Sequence, residues 1–265
     1  MLAASVGLHA VAAASLAIAP ESWPWALGGI ALNHVGLTAA GLWPRSRLLG
    51  PNITRLPAAA VERRQFALTL DDGPDPDVTP RVLDLLDAHG VRATFFCIAQ
   101  RAQAAPALLR EIVARGHDVQ NHSHAHRHTF SLSGPGALRR EIEHAQQVLT
   151  ELSGQRPHCF RAPAGLRNPF LDPVLHRLGL HLVSWTRRGF DTVTADARVV
   201  LARLTRDMAA GDIVLLHDGH ARRSPGGQPV VLAVLPQLLA HCAQLGLHPT
   251  TLRAAVPARS VENVS

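Results

Sequence analysis

The stretch "FALTLDDGPDPDVTPRVLDLLDAHG", residues 66–90, decides the fold class because it contains one complete strand-and-helix unit. It begins with an apolar run that has the length of a buried strand. After a turn, Thr79 can cap a helix and Pro80 suits its first turn. Gly90 ends that helix, so the stretch predicts a strand followed by a helix.

The same unit recurs along the chain. Predicted strands cover residues 66–70, 93–98, 117–120, 158–160, 181–185, 212–216 and 247–252. Predicted helices between them cover residues 79–89, 106–115, 135–152, 172–178, 197–208 and 229–245. Strands that alternate with helices across short loops are parallel and covered by the helices. This number of strands predicts an α/β fold, a distorted β/α barrel, in preference to an open sheet.

The composition limits the chemistry. The chain has 265 residues, 47% of them hydrophobic, which suits one large α/β domain with a short appendage. All 26 basic residues are arginine, so a phosphate-binding P-loop lysine and a Schiff-base lysine are excluded, and the absence of tyrosine excludes a tyrosine acid. The net charge is +6, but the arginines are scattered, so no nucleic-acid partner is expected. Attraction to anionic lipid or to a phosphorylated substrate is the alternative. The three cysteines are expected to be buried thiols.

Residues 1–48 form an apolar segment ahead of the main domain, which covers residues 49–265. Its apolar runs, residues 2–19 and 25–43, favour two membrane-associated helices in a transmembrane hairpin. A signal peptide is disfavoured because no basic residue precedes the first run. A soluble hairpin packed on the domain is the third possibility. Arg45 and Arg47 follow the second run, which favours the cytoplasmic side of a bacterial-type inner membrane for the main domain.

Polar residues of catalytic type follow the predicted strands at the point where each strand ends. The carboxyl ends of parallel barrel strands meet at one rim, where active sites form. The side chains expected there are Asp71, Asp72, His122, Arg161, Trp185, Asp191 and His217.

The run "NHSHAHRH", residues 121–128, indicates a metal site. His122 and His126 are four residues apart, which on a helical turn places both imidazoles on one face. Asp72 would add a carboxylate and leave a position open for water, as catalytic sites do. His124 and His128 are expected to be bystanders.

The quoted motifs together resemble those of the polysaccharide deacetylase, or NodB-homology, family of carbohydrate esterases. "TLDDGP", "HSHAH", "RAPAG" and "LLH" occur in that family's order between residues 66 and 217. The resemblance implies a NodB-type distorted barrel and a metal-dependent hydrolase. Such an enzyme removes an N-linked acetyl, or a similar short acyl group, from an amino-sugar glycan.

The resemblance also implies roles for individual residues. Asp71 would be the general base, oriented by Arg161, and His217 the general acid, tuned by Asp191. The metal ligands would be Asp72, His122 and His126. The substrate-binding residues would be Ala164, through its backbone N–H, and Trp185 and Leu215, which would line the acetyl pocket. Ala164 stands where many members have an aromatic residue.

Several choices stay open at this point. The expected cofactor is one divalent ion, zinc first, with cobalt, nickel or manganese as alternatives. Chitin-like oligomers, peptidoglycan and lipid-linked glycans are all candidate substrates of a monomeric enzyme. Two other classes of protein compete: a non-catalytic metal- or carbohydrate-binding protein on the same fold, and another metal-dependent hydrolase such as a phosphoesterase.

Overall fold

A curled sheet of eight parallel strands forms the centre of the protein, whose computed structural model describes residues 1–259. The strands are β1 (Gln65–Asp71), β2 (Thr94–Cys97), β3 (Asp118–Asn121), β4 (Cys159–Phe160), β5 (His181–Leu182), β6 (Arg187–Arg188), β7 (Ile213–His217) and β8 (His248–Thr250). Their order is β5-β4-β3-β2-β1-β7-β6, and β8 pairs with the first residues of β1. All seven predicted strands are present.

Helices surround the sheet and precede it. They are α1 (Leu2–Ile18), α2 (Trp23–Leu42), α3 (Ala58–Glu62), α4 (Thr79–Ala88), α5 (Ala99–Ala104), α6 (Pro106–Ala114), α7 (Pro135–Ser153), α8 (Leu171–Arg177), α9 (Ala197–Thr205), α10 (Val230–Gln244) and α11 (Leu252–Ala255). The six helices predicted between the strands correspond to α4 and to α6 through α10. The sequence pattern missed β6 because that strand consists of two arginines and has no apolar run.

The sheet curls because the two ends of its strand order are close in the chain. Residues 183–186 lead from β5, at one end of the order, to β6 at the other. Ile53 bridges to Val183, and Arg55 bridges to Asp212 just before β7. The predicted distorted barrel of parallel strands is therefore confirmed.

The alternation of side chains in β1 selects which residues face the barrel interior. Leu68 and Leu70 pack in the large core under the helices, whereas Ala67 belongs to a smaller core inside the barrel. Side chains alternate between the two faces of a strand, so Asp71, four residues after Ala67, also faces the barrel interior. The register pairs Asp71 with His217, which places both at the carboxyl end of the barrel.

The three cysteines, Cys97, Cys159 and Cys242, are free and buried, as the sequence indicated. Burial raises the pKa of each thiol above its ordinary value. Since the thiolate is the reactive form, these residues act as small apolar side chains.

The N-terminal segment forms a hairpin of two helices. Within it Asn33 donates a hydrogen bond to Ser5 at 2.8 Å. Its outer surface is apolar and exposed, with Ile18 and Trp25 both 85% exposed. In the part of the chain that the structure describes, no helix combines the length and apolarity that crossing a bilayer requires. The prediction of a transmembrane hairpin is therefore not supported, because alanine and interior polar residues such as His9 dilute the apolar runs.

The residues after the hairpin are bound tightly to the barrel. The carbonyl of Pro44 accepts hydrogen bonds from Asn52 at 2.9 Å and from Ser184 at 2.7 Å. The carbonyl of Ser46 accepts from Asn52 at 3.0 Å and from Arg167. Buried donors that lose their acceptor cost about 1–3 kcal/mol each. Pro44 and Ser46 therefore contribute to the stability of the barrel.

Two truncations test this. A fragment of residues 43–265 keeps the carbonyls of Pro44 and Ser46, and a fragment of residues 49–265 lacks both. We expect the shorter fragment to unfold with a free energy lower by about 2 kcal/mol or more, since several buried donors lose their acceptors. Urea denaturation of the two fragments measures the difference, and equal midpoints would contradict it.

Candidate active site

A cavity of about 940 Å³ opens at the carboxyl end of the barrel. Its lining includes eight of the ten site residues predicted from the sequence, contributed by strands far apart in the chain. From the predicted set it contains Asp71, Asp72, His122, His126, Ala164, Trp185, Leu215 and His217. Arg161 and Asp191 lie behind this lining, fully buried, and contact Asp71 and His217.

Asp72, His122 and His126 form a group with the geometry of a metal site. The Oδ1 atom of Asp72 lies 3.2 Å from Nε2 of His122 and 3.2 Å from Nε2 of His126. The three ligand atoms lie within 4.8 Å of one another. This oxygen is buried and has no hydrogen-bond donor of its own. Two imidazole nitrogens and one carboxylate oxygen converge here, which suits a divalent cation.

The tautomer of His122 supports this arrangement. Its Nδ1 donates to the backbone carbonyl of Arg161 at 2.8 Å, which leaves the lone pair on Nε2 facing Asp72. Burial opposes the charged imidazole, but the carboxylates of Asp71 and Asp72 outweigh it and raise the pKa of His122. Burial and the charge of His122 lower the pKa of His126 to about 4. A proton and a metal ion therefore compete for His122.

The two histidines converge by a different route from the predicted helical turn. Residues 122–126 form a loop in which Ser123 and His126 have positive φ angles of 68° and 50°. The Asn121 side chain accepts from Ser123 N at 2.9 Å, and Ser123 Oγ accepts from His126 N at 3.0 Å. Glu141 accepts from Ala125 N at 2.7 Å. The helical interpretation of the four-residue spacing was wrong, since this loop and its hydrogen bonds aim both rings at Asp72.

His220 also contacts Asp72, and the sequence analysis missed it. Its Nδ1 lies 3.1 Å from Asp72 Oδ2, and its Nε2 lies 2.7 Å from Arg101 Nη2. An arginine only donates, so Nε2 accepts and Nδ1 donates to the carboxylate. Burial favours the neutral acid, but the hydrogen bond from His220 and the positive charges of protonated His122 and His217 hold the pKa of Asp72 well below its ordinary value. The "HDGH" sequence just after a strand was the only available signal.

Asp71 is held by a buried arginine. Arg161 Nη1 donates to Asp71 Oδ1 at 2.6 Å and to Thr69 Oγ1 at 2.8 Å. The same guanidinium donates to the carbonyls of Val183 at 3.3 Å and Ser184 at 3.0 Å. Asp71 Oδ2 is the oxygen nearer the metal group, 3.8 Å from His122 Nε2. One oxygen of Asp71 is therefore fixed by the arginine and the other faces the cavity.

His217 is oriented by Asp191. Its Nδ1 lies 2.8 Å from Asp191 Oδ1, and its backbone N–H donates to the other oxygen of that carboxylate at 2.8 Å. Burial works against the imidazolium, but the negative charge of Asp191, with its hydrogen bond, outweighs this and raises the pKa of His217 to about 9. The ring nitrogen that remains, Nε2, is the one available to the cavity. The pair can hold a proton close to the carboxylates of β1.

Asp218, the next residue, is a buried carboxyl that the sequence analysis also missed. It accepts a hydrogen bond from Thr79 Oγ1 at 2.5 Å, so this hydroxyl does not cap α4. Burial raises the pKa of Asp218 to about 7. The carboxyl lies so close to Gly73 that a Cβ there would collide with it. Asp218 therefore fixes the turn that follows Asp71 and Asp72.

The opposite wall of the cavity comes from the "RAPAG" loop and the residues after β5. Ala164 has a positive φ of 54° and is exposed to the cavity. Trp185 and Leu215 are buried and give the wall an apolar character. Gly165 packs so tightly against Trp185 and Pro44 that a side chain there would collide with both. The loop therefore presents a short backbone segment beside an apolar pocket.

His124 and His128 lie apart from the three-residue group. His124 stacks on His144, with 4.0 Å between ring centroids. His128 is exposed at the edge of the cavity. Neither belongs to the group of potential ligands found in residues 1–259.

The fold and the site together are typical of one class of protein: hydrolases that use an Asp–His–His metal group at the rim of a distorted β/α barrel. The sequence profile described as polysaccharide deacetylase matches residues 58–183. The profile ends before Asp191 and His217.

Individual relatives agree with the profile. A peptidoglycan-N-acetylglucosamine deacetylase of Bacillus cereus is 34% identical over 175 residues, which is 65% of this chain and 81% of the relative. A chitooligosaccharide deacetylase of Sinorhizobium fredii is 37% identical over 171 residues, 62% of this chain and 76% of the relative. A family 4 carbohydrate esterase from Streptomyces lividans, solved with acetate, superposes with a TM-score of 0.65 at 30% identity. That alignment covers 75% of this chain and 98% of the esterase.

The chain therefore belongs to the polysaccharide deacetylase family. It is a metal-dependent hydrolase that N-deacetylates amino-sugar polysaccharides.

The first prediction for this site concerns metal retention. We expect His122→Ala and His126→Ala each to lose bound metal, because each removes one of three converging ligands. His128→Ala is the matched control, since it removes an exposed imidazole of the same loop. Metal content by mass spectrometry after purification measures the effect. Equal metal in all three variants would contradict the ligand assignment.

Proposed function

We propose that this enzyme removes acetyl groups from N-acetylglucosamine units of a glycan, with Asp71 as general base and His217 as general acid. The observation that supports this most strongly is the register of β1 and β7, which pairs these two residues at the mouth of the barrel. Both line the cavity that contains the Asp72, His122 and His126 group. An acid and a base then stand beside one electrophilic site.

Asp72, His122 and His126 would hold the cofactor, for which we propose zinc. Two imidazole nitrogens and one carboxylate oxygen are the donor set of catalytic zinc sites. When bound, the ion supplies Lewis-acid chemistry, which lowers the pKa of a water molecule and polarises the acyl carbonyl. His220 is a positioning residue in this arrangement, because it holds the far oxygen of Asp72 and turns Oδ1 towards the histidines.

The proton transfers follow from how the two groups are held. Asp71 accepts the proton of the attacking water on Oδ2, since Arg161 occupies Oδ1. His217 donates from Nε2 to the departing amine, because Asp191 occupies Nδ1. The backbone N–H of Ala164 would stabilise the negative oxygen that forms. The apolar wall of Trp185 and Leu215 would receive the methyl group of the acetyl.

The glycan is proposed from the relatives. One is a peptidoglycan-N-acetylglucosamine deacetylase and another a chitooligosaccharide deacetylase. N-acetylglucosamine in a glycan chain is the feature that both names share. A free amino sugar and acetate would be the products.

The two alternatives make different demands on the site. A non-catalytic binding protein has no need of Asp71 or His217, and both are present and oriented. A two-metal phosphoesterase needs a second ligand group. Residues 1–259 contain a single group of metal-ligating type. The geometry therefore favours the deacetylase.

Other predictions from the sequence remain proposals. They are the division of the chain at residue 48, the monomeric state, the absence of a nucleic-acid partner and the membrane-associated, cytoplasm-facing location.

A direct assay tests the proposed function. The protein is stripped with a chelator, reloaded with zinc, and given N-acetylated chitotetraose, a peptidoglycan fragment and a phosphate monoester. We expect a glycan to release acetate only after zinc is restored. We expect no release of phosphate from the monoester. Phosphate release without acetate would overturn the proposal.

A substitution at Asp71 separates chemistry from metal binding. We expect Asp71→Asn to retain the metal, because Asn still accepts from Arg161, and to lower kcat about 100-fold or more through loss of the base. Acetate release and metal content are measured on the same sample. Turnover equal to that of the unmodified enzyme would refute the assignment of the base.

The pH profile tests the His217–Asp191 pair. His217 donates only when protonated, so kcat/KM should fall as the pH rises through its pKa, about 9 without a bound cation and lower with one. Asp191→Asn removes the charge that raises this pKa, so the alkaline limb should move about 1 pH unit or more towards lower pH. Asp196→Asn, an exposed cap of α9, is the control. An unmoved limb in Asp191→Asn would refute His217 as the acid.

A further inference from the structure

A second cavity, of about 660 Å³, adjoins the catalytic cavity. The two share three lining residues: Ala164, Trp185 and Arg188. A ligand whose acyl group lies at the metal site can therefore extend into the second cavity. We call the second cavity the arginine groove, because five of its lining residues are arginines and none is acidic.

Two of the five arginines are already paired. Arg187 contacts Asp212 at 2.7 Å, and Arg206 contacts Asp207 at 3.7 Å. The lining arginines with no carboxylate partner in residues 1–259 are Arg45, Arg188 and Arg203. Like charges gathered in one groove repel each other, and an anion would relieve that repulsion.

Arg188 lies at the junction of the two cavities. Its guanidinium is 5.2 Å from the ring of Trp185 and 4.8 Å from the ring of Phe190, so the aromatic faces fix its plane. Its Nε is buried and has no hydrogen-bond partner in the described chain. Arg45 and Arg203 make only long contacts, 3.4 Å each, to the carbonyls of Thr186 and Gly189. The guanidinium groups of Arg45 and Arg203 therefore remain available to a ligand.

We propose that the arginine groove is a subsite for a phosphate group on the glycan substrate. Guanidinium groups match phosphate oxygens with paired hydrogen bonds, and three of them can surround a group that has several oxygens and about two charges. The position of Arg188 places that phosphate next to the sugar whose acetyl lies against Trp185. This inference rests on the proposed function and narrows its substrate to phosphorylated amino-sugar glycans.

The kinetic test uses three forms of one disaccharide: N,N'-diacetylchitobiose, its 1-phosphate and its carboxylate (aldonic acid) form. We expect the zinc-loaded enzyme to show a KM for the 1-phosphate about 10-fold lower than for the neutral sugar, with the carboxylate between them. Arg188→Gln, Arg45→Gln and Arg203→Gln should each reduce this preference. Arg45→Gln and Arg203→Gln, which lie outside the catalytic cavity, should also leave kcat/KM on the neutral sugar within about 2-fold. Arg110→Gln, an exposed arginine on α6 outside both cavities, should keep it.

The proposal is overturned if the phosphate gives no advantage, if the carboxylate gives as large an advantage, or if the three groove variants keep the preference. Melting temperatures show whether Arg188→Gln misfolds. If it does, Arg45→Gln and Arg203→Gln still test the same groove, because neither variant removes the side chain that stacks on Trp185.

A binding experiment separates failure of this inference from failure of the proposed function. Inorganic phosphate is titrated into metal-free protein, so that it has no bound cation to contact. We expect the groove variants to bind phosphate about 10-fold more weakly than the unmodified protein and Arg110→Gln. If no glycan releases acetate, the proposed function fails while this titration still decides on the subsite. Equal phosphate binding by all variants overturns the subsite.

Discussion

The buried pair of Arg161 and Asp71 is the interaction on which the rest of the structure depends. A fully buried guanidinium is tolerated only when it is paired and its donors are satisfied. Here the donors reach Asp71 on β1 and the carbonyls of Val183 and Ser184 after β5, so the pair holds the curled sheet across its interior. The carbonyl of Arg161 also accepts from His122. One residue thus orients the proposed base and a proposed metal ligand together.

Much of the fold was predictable because apolar runs that form strands alternate with helical patterns, and glycines mark the ends of several helices. The seven predicted strands and six predicted helices are all present, with boundaries that differ by a few residues. The missed elements are short or atypical in composition. β6 is two arginines, held by pairing with β7, and α5 is a single polar segment that directly follows β2. The N-terminal runs were long enough to suggest membrane spans, but their alanine content leaves them only weakly apolar.

Site residues that end a strand were predictable from the sequence. Site residues that only tertiary contacts bring to the site were not. Asp72, His122 and His126 follow from strand ends and spacing, although a loop with positive φ angles, not a helix, brings the histidines together. His220 contacts Asp72 from 148 residues away. Asp218 looks in sequence like the polar end of a strand, and only its burial against Gly73 reveals what it holds. Local patterns contain no information about such long-range contacts.

Residues 183–188 have one further consequence. Within six residues this segment offers the carbonyls that hold Arg161, the ring of Trp185 and the guanidinium of Arg188. Backbone that fixes the catalytic charges is therefore the same backbone that shapes the walls of both cavities. An insertion or deletion here would alter substrate fit and catalysis at once. Divergence towards new glycans is accordingly constrained to side-chain replacement within this segment.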